Sequence, residues 1–349
     1  MSIHAIIGLD HLPKMGVGGD FRNYSPPCLT WWSANRSSVP IQIGNDGWIR
    51  SNYASGIDAV AQVTNPATLS DKTKLIFIGL RLRVDAVGST GASNPRGVML
   101  DQTLEPQTVS GRSYLFLIGQ NELPAIAAGK EYYVELELNV ETYVVRRWID
   151  NVQLSDITVP ANILRTMLAA RQFILAMFTS TQTNANGRLS YRDIYISDDV
   201  ETEDDKNVTK LGPRRIVPVT IQAAEGQDWV STSGNGLVQD LQVPLTSAGN
   251  GVTSPATPTP LEVTLSAAVP AGYGVSAIQM QSSAYQAAGA SMMLDIALEK
   301  GGSSKALSSH SLSTTTRHGL AGKPQALSPD GLVWDNAIIG QTKLVLTPR

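Results

Sequence analysis

The chain has 349 residues, 42% of them apolar, a formal net charge of −3 and one cysteine, Cys28. That length suits two domains of about 100–150 residues each, and the apolar fraction is enough for packed cores rather than wholesale disorder. The near-neutral charge argues against a nucleic-acid binder, which carries a basic stripe, and a lone cysteine excludes an intramolecular disulfide or a cysteine metal cluster.

The longest apolar runs, such as Leu75–Leu80 and Phe173–Phe178, fall far short of the ~20 residues of a membrane helix, so no membrane insertion is expected. Met1–Gly8 has no basic region before its short apolar patch, which argues against a secretory signal. Synthesis in a reducing cytoplasm fits the cysteine usage.

In chain order, Met15-Gly-Val-Gly-Gly19 is glycine-rich but lacks the Lys-Ser/Thr of a phosphate-binding loop. Tyr24, Trp31, Trp32, Trp48 and Tyr53 form an aromatic cluster in sequence. Core packing is the first reading for it, a protein interface the second and a sugar-stacking platform the third. Asn45-Asp-Gly47 signals a turn before Trp48, and Leu75–Val87 is a β-rich stretch.

In Tyr132–Val140, residues Tyr132, Val134, Leu136, Leu138 and Val140 share one face and Tyr133, Glu135, Glu137 and Asn139 the other, the alternation of a half-buried strand. Thr142–Ile149 and Val152–Leu154 are strands joined at Asp150-Asn151, a pair that tolerates the positive φ of a tight hairpin. Ala161–Ala170 carries helical spacing in Ile163, Leu164, Met167 and Leu168. Phe173–Phe178 is a continuous apolar strand candidate, and Thr183–Gly187 turns the chain into a strand over Leu189–Ile196.

Charge then thins: residues 1–213 hold 19 Lys/Arg and 22 Asp/Glu, residues 214–349 hold 8 and 8. This places a first domain over 1–197, an acidic linker over 198–213 and a second domain over 214–349. In the second, Arg215–Gln222, Leu261–Leu265, Val275–Met280, Met292–Leu298 and Thr342–Leu346 are strand candidates. Thr253–Pro260 and Gly301–Thr315 are expected as exposed loops.

Tyr132–Ser197 carries a resemblance. A Tyr-Tyr-Val-Glu-Leu-Glu-Leu strand is followed by the Trp148-Ile-Asp-Asn-Val-Gln-Leu hairpin, an apolar strand and Tyr191-Arg-Asp-Ile-Tyr-Ile-Ser. That order resembles the C-terminal half of a concanavalin/laminin-G-like jelly roll. The fold class expected is therefore all-β, a jelly-roll sandwich followed by a smaller β-domain. Leu211-Gly-Pro-Arg-Arg-Ile-Val, with Asp228-Trp229 soon after, resembles virion structural proteins of tailed bacteriophages.

The resemblance implies a non-enzymatic role through protein–protein contacts. A tail, baseplate or fibre-associated position in the virion is favoured, with capsid decoration as an alternative. Its partners would be other virion proteins and copies of itself, a trimer being the working symmetry. A carbohydrate-binding receptor-recognition protein, reading a host surface glycan, is a further alternative.

An enzyme reading remains to be weighed. Laminarinase-like glucanases share the jelly roll and carry Glu-x-Asp-x-Glu on one strand, two of its carboxylates serving as nucleophile and general acid. Glu135-Leu-Glu137-Leu-Asn139 looks similar, but Asn139 cannot act as the acid. The expectation is a solvated strand face.

His4, His11, His310 and His318 lack zincin spacing, and no Gly-x-Ser-x-Gly elbow is present; the histidines are expected on the surface or in loops. Asp198–Asp205 lacks the spacing of an EF-hand and is expected as solvated linker. No catalytic, metal-binding or cofactor-binding residue is assigned, and no cofactor.

Overall fold

The computed structural model describes residues 3–7, 29–33, 41–43, 46–51, 59–64, 70–86, 98–102, 108–109, 112–116, 129–162, 172–176, 178–179, 187–201, 209–242, 251–284, 286, 292–312 and 318–349. Apart from two short pieces of chain, residues up to Ile216 form one compact unit and those from Val217 to Arg349 a second.

The strands of the first unit are β1 (Ile3–Ile7), β2 (Leu29–Ser33), β3 (Ile41–Ile43), β4 (Ile49–Ser51), β5 (Ala59–Thr64), β6 (Leu75–Ala86), β7 (Val98–Gln102) and β8 (Thr108–Val109). They continue with β9 (Arg112–Phe116), β10 (Glu131–Asn139), β11 (Val144–Ile149), β12 (Val152–Gln153), β13 (Ile157–Thr158), β14 (Gln172–Ala176), β15 (Phe178–Thr179) and β16 (Gly187–Asp198). One antiparallel sheet runs β12-β11-β10-β6-β16-β4-β3, with β1 and β15 also on β16 and β13 on β11; the other runs β2-β5-β14-β7-β9-β8. The first unit is thus all-β and built of two antiparallel sheets, as expected of a jelly-roll sandwich.

The three longest described strands of the first unit, β6, β10 and β16, lie side by side, and alternation sends one set of side chains into the core. Ile76, Ile78, Leu80 and Leu82 from β6 join Tyr132, Val134, Leu136 and Leu138 from β10 and Tyr191, Ile194 and Ile196 from β16, each no more than 2% exposed. The hairpin between β11 and β12 turns at Asp150 and Asn151, with φ of +50° and +67°, as the pair predicts. Of the helix predicted over 161–170, only 161 and 162 are described, and both are helical.

The second unit contains β17 (Thr220–Glu225), β18 (Val230–Ser231), α1 (Leu237–Gln242), β19 (Val252–Thr253), β20 (Leu261–Ser266), β21 (Gln281–Ala284) and β22 (Met292–Lys300). It ends with β23 (Ser303–Leu312), β24 (His318–Ala321), α2 (Asn336–Gly340) and β25 (Lys343–Pro348). Its main sheet has the order β17-β20-β25-β22-β23. Leu261, Val263, Ile296, Leu298, Trp334 and Ile339 centre its core.

Three expectations for this unit are corrected. Most of the loop expected over 301–315 is the edge strand β23. Gly301 and Gly302, at φ +58° and +83°, make its two-residue turn from β22, and only Leu307 and Leu312 of β23 are buried apolar residues. Its serines hide the period-2 signal. The strand expected over 215–222 begins at Thr220, because Pro218 has no N–H for a ladder and the Ile216 N–H is used elsewhere. In 275–280 only Ile278 pairs, through an isolated bridge to Gln325.

His310 is not a loop histidine. It stands on β23 opposite the buried Leu294, its Nε2 is buried with no hydrogen-bond partner among the described residues, and burial holds its pKa below the ordinary imidazole value. The unfolded chain takes up that proton more readily, so this contribution to stability is lost as pH falls below about 6.5. The thermal transition of the second unit is expected to drop between about pH 7.5 and about pH 5.5. His310→Gln should flatten that dependence; an unchanged slope contradicts the assignment.

Candidate functional site

The outward face of the β10–β6–β16 strands gathers the polar residues that the core excludes. Glu135 stands opposite Trp148 on one side and Gly79 on the other, and Gly79 stands opposite Tyr195. The next row is Tyr133, Arg81 and Arg192. Glycine at 79 is required: a Cβ there would lie 2.0 Å from Tyr195 Cε1 and 2.7 Å from Tyr133 Oη. Its absence lets the Tyr195 ring lie across the strand and bring its hydroxyl to Glu135, to which it donates.

A bulge in β16 completes the face. The register shifts between Arg192 and Tyr195, and Asp193 there takes φ +52°. Asp193 meets Arg192 Nε at 3.1 Å and Arg81 Nε at 3.3 Å. Burial raises its carboxyl above the usual range against the pull of those arginines. Arg83 and Arg192 also stack on Trp48, at 4.7 and 5.3 Å from the ring centroid, and Trp48 is buried.

Residues 209–216 cross this face as a strap. Lys210 Nζ lies 3.1 Å from Glu135 Oε2 and 5.0 Å from the centre of the Trp148 ring. The Gly212 N–H donates to Glu135 Oε1 at 3.0 Å, and the Leu211 N–H donates to Tyr195 Oη at 3.3 Å. Tyr133 Oη donates to the Gly212 carbonyl, Arg81 Nε to the Arg214 carbonyl at 3.4 Å, and the Ile216 N–H to Asp193 Oδ1 at 3.2 Å. Gly212 takes φ +71°, which glycine adopts at little cost. Burial, reinforced by the neighbouring Glu135, pushes the Tyr133 and Tyr195 phenols far above their ordinary value, so both stay neutral donors.

Glu135 is consequently 0% exposed, and the solvated face expected for it is corrected. The three residues of the glucanase-like strand part company. Glu137 pairs with the exposed Arg146 at 2.8 Å, and Asn139 accepts from the Glu141 and Thr142 N–H groups in the following turn. The linker expected over 198–213 divides as well. Asp198 ends β16, buried, accepting from Thr73 Oγ1 at 3.0 Å, and residues 209–213 belong to the strap.

His4 is buried too, its Nε2 3.0 Å from Asp198 Oδ2, which corrects its expected surface position. His11, Met15–Gly19, Tyr24, Cys28, Tyr53 and residues 202–205 of the acidic run lie outside the described residues. Trp31 and Trp32 lie on β2 and His318 on β24.

Among the described residues, no group of three or more His, Cys, Asp or Glu side chains could hold a metal ion, and no helix is long and apolar enough to cross a membrane. In the second unit, an open depression of about 580 Å³ beside α1 is lined by Asn235, Gln239, Gln242 and neighbours, none of them ionisable.

No family model and no curated protein matches the sequence. Similar solved structures include a sialidase, 12% identical, covering 58% of this chain and 19% of its own, with a TM-score of 0.35. An alginate lyase in complex with alginate trisaccharide is 11% identical, covering 56% of this chain and 98% of its own, with a TM-score of 0.35. A Lotus tetragonolobus seed lectin is 10% identical, covering 57% and 100%, also at 0.35. The chain thus spans about a fifth of the sialidase's length. These likenesses transfer no residue and no activity.

Two substitutions probe the sealed row. Gly79→Ala forces two tyrosines off the face and is expected to cost about 1–3 kcal/mol in denaturant unfolding. Glu135→Gln leaves Lys210 without its charge partner and is expected to cost about 1–3 kcal/mol. Wild-type stability in both variants would contradict the packing described.

Proposed function

We propose that the chain is a non-catalytic virion structural protein of a tailed bacteriophage, acting in assembly or attachment through protein–protein contacts. A tail, baseplate or fibre-associated position is favoured. The observation that carries the non-catalytic half is the closure of Glu135 beneath Lys210 and Gly212. A glycosidase holds two carboxyl groups roughly 5–9.5 Å apart across a cleft that admits sugar and water. Here one carboxylate is sealed by the chain itself and its neighbour Glu137 is held by Arg146.

The virion half is supported by the resemblance of Leu211–Val217, with Asp228-Trp229 soon after, to such proteins. Its partners are other virion proteins and further copies of the chain, and its location is the particle. The second unit supplies exposed apolar side chains suited to such contacts, among them Tyr273, Leu332 and Val333 at 69%, 48% and 70% exposure.

The test has two arms on the full chain. Purified protein incubated with a panel of β-glucans is expected to release no sugar, and mass spectrometry of purified particles from a phage carrying the gene is expected to find the chain. Sugar release abolished by Glu135→Gln, or particles lacking the chain, would refute the corresponding half.

A further inference from the structure

The strap and its groove have the chemistry of a ligand and its site. Tyr133, Glu135, Tyr195, Arg81 and Asp193 read residues 210–216 through backbone N–H and carbonyl groups, and Glu135 adds one ion pair with Lys210. No residue of 209–216 is itself fully buried, so lifting the strap breaks mainly polar contacts and uncovers the Tyr133 and Tyr195 hydroxyl ends. Lifting it without replacement, however, would leave Glu135 on the sheet without Lys210 and the Gly212 N–H. Stripping one partner from a buried charge is strongly unfavourable, so the groove demands an occupant with a cation placed two residues before a close-approaching glycine.

We propose that this groove also takes residues 210–216 of a second copy, so that the chain assembles by exchanging its strap. The proposal deepens the assembly reading above and rests on its homo-oligomer. A second copy presents Lys210, Gly212, Arg214 and Ile216 in the required order, so its strap can offer the groove the same contacts as the closed monomer does. The free-energy difference between the two forms is then set by concentration and by the chain around the strap, the usual basis of domain swapping. The strap also lies immediately before Val217, where the second unit begins with a core of its own, so exchange at this junction leaves both cores intact.

Complementation tests it. A groove variant, Tyr133→Phe with Glu135→Gln, keeps a normal strap. A strap variant, Gly212→Pro, keeps a normal groove but loses the N–H and the φ of +71° that proline cannot adopt. Neither full-length variant holds a complete groove–strap pair alone. Mixed, they are expected to form a 1:1 dimer in native mass spectrometry that neither forms by itself; folded variants that stay separate overturn the proposal.

Should either variant fail to fold, wild-type chain, half of it isotope-labelled, is refolded together and joined with a zero-length carbodiimide. Lys210–Glu135 cross-links of mixed isotope are expected; cross-links of single isotope only, or none, overturn it. A mixed dimer formed by a chain that never enters particles would remove the phage reading and leave the exchange standing.

Discussion

A carboxylate taken out of water on a sheet face needs compensation from every side, because effective desolvation costs several kcal/mol per ion. In the first unit that carboxylate is Glu135, and much of the local structure follows from satisfying it. Tyr195 reaches it only because position 79 has no side chain. Lys210 and Gly212 reach it only because the chain leaving β16 returns across the strands it has just completed. The return ends at Ile216, tied to Asp193, and the second unit starts at the next residue.

The arrangement explains why the solvated-face reading of the Glu-Leu-Glu strand misses at Glu135. Alternation correctly puts Glu135 and Glu137 on the face opposite the core, but an outward face is not necessarily a wet one. A strap of eight residues converts half of it into a second, polar interior. The two tyrosines are held as neutral donors there, and the Arg81–Asp193–Arg192 group forms the adjoining row. Chemistry that needs substrate and water at Glu135 meets the chain's own backbone instead.

Most of the frame was legible in the residues. The period-2 alternation of Tyr132–Val140 located β10, and Asp150-Asn151 located its neighbour's hairpin, because both signals are local and physical. What escaped was non-local or polar. Nothing near Glu135 in sequence announces Lys210, 75 residues away. The Lys-Leu-Gly-Pro stretch, with a glycine able to take φ +71°, was the available sign that 209–213 is more than linker.

β23 was missed because its serines carry no hydrophobic period, although the Gly301-Gly302 dipeptide is a hairpin signal. The same strand hides His310, whose polar neighbours gave no hint that it stands opposite the buried Leu294.

Residues 210–216 are part of the first unit's fold and not a tether. Hydrogen exchange of the amides of Leu211, Gly212 and Ile216 in the native full-length chain tests it most directly. Docking on Tyr195, Glu135 and Asp193 predicts slow exchange for all three, with protection approaching that of the β10 amides. Exchange at the rate of an unstructured peptide would contradict the account.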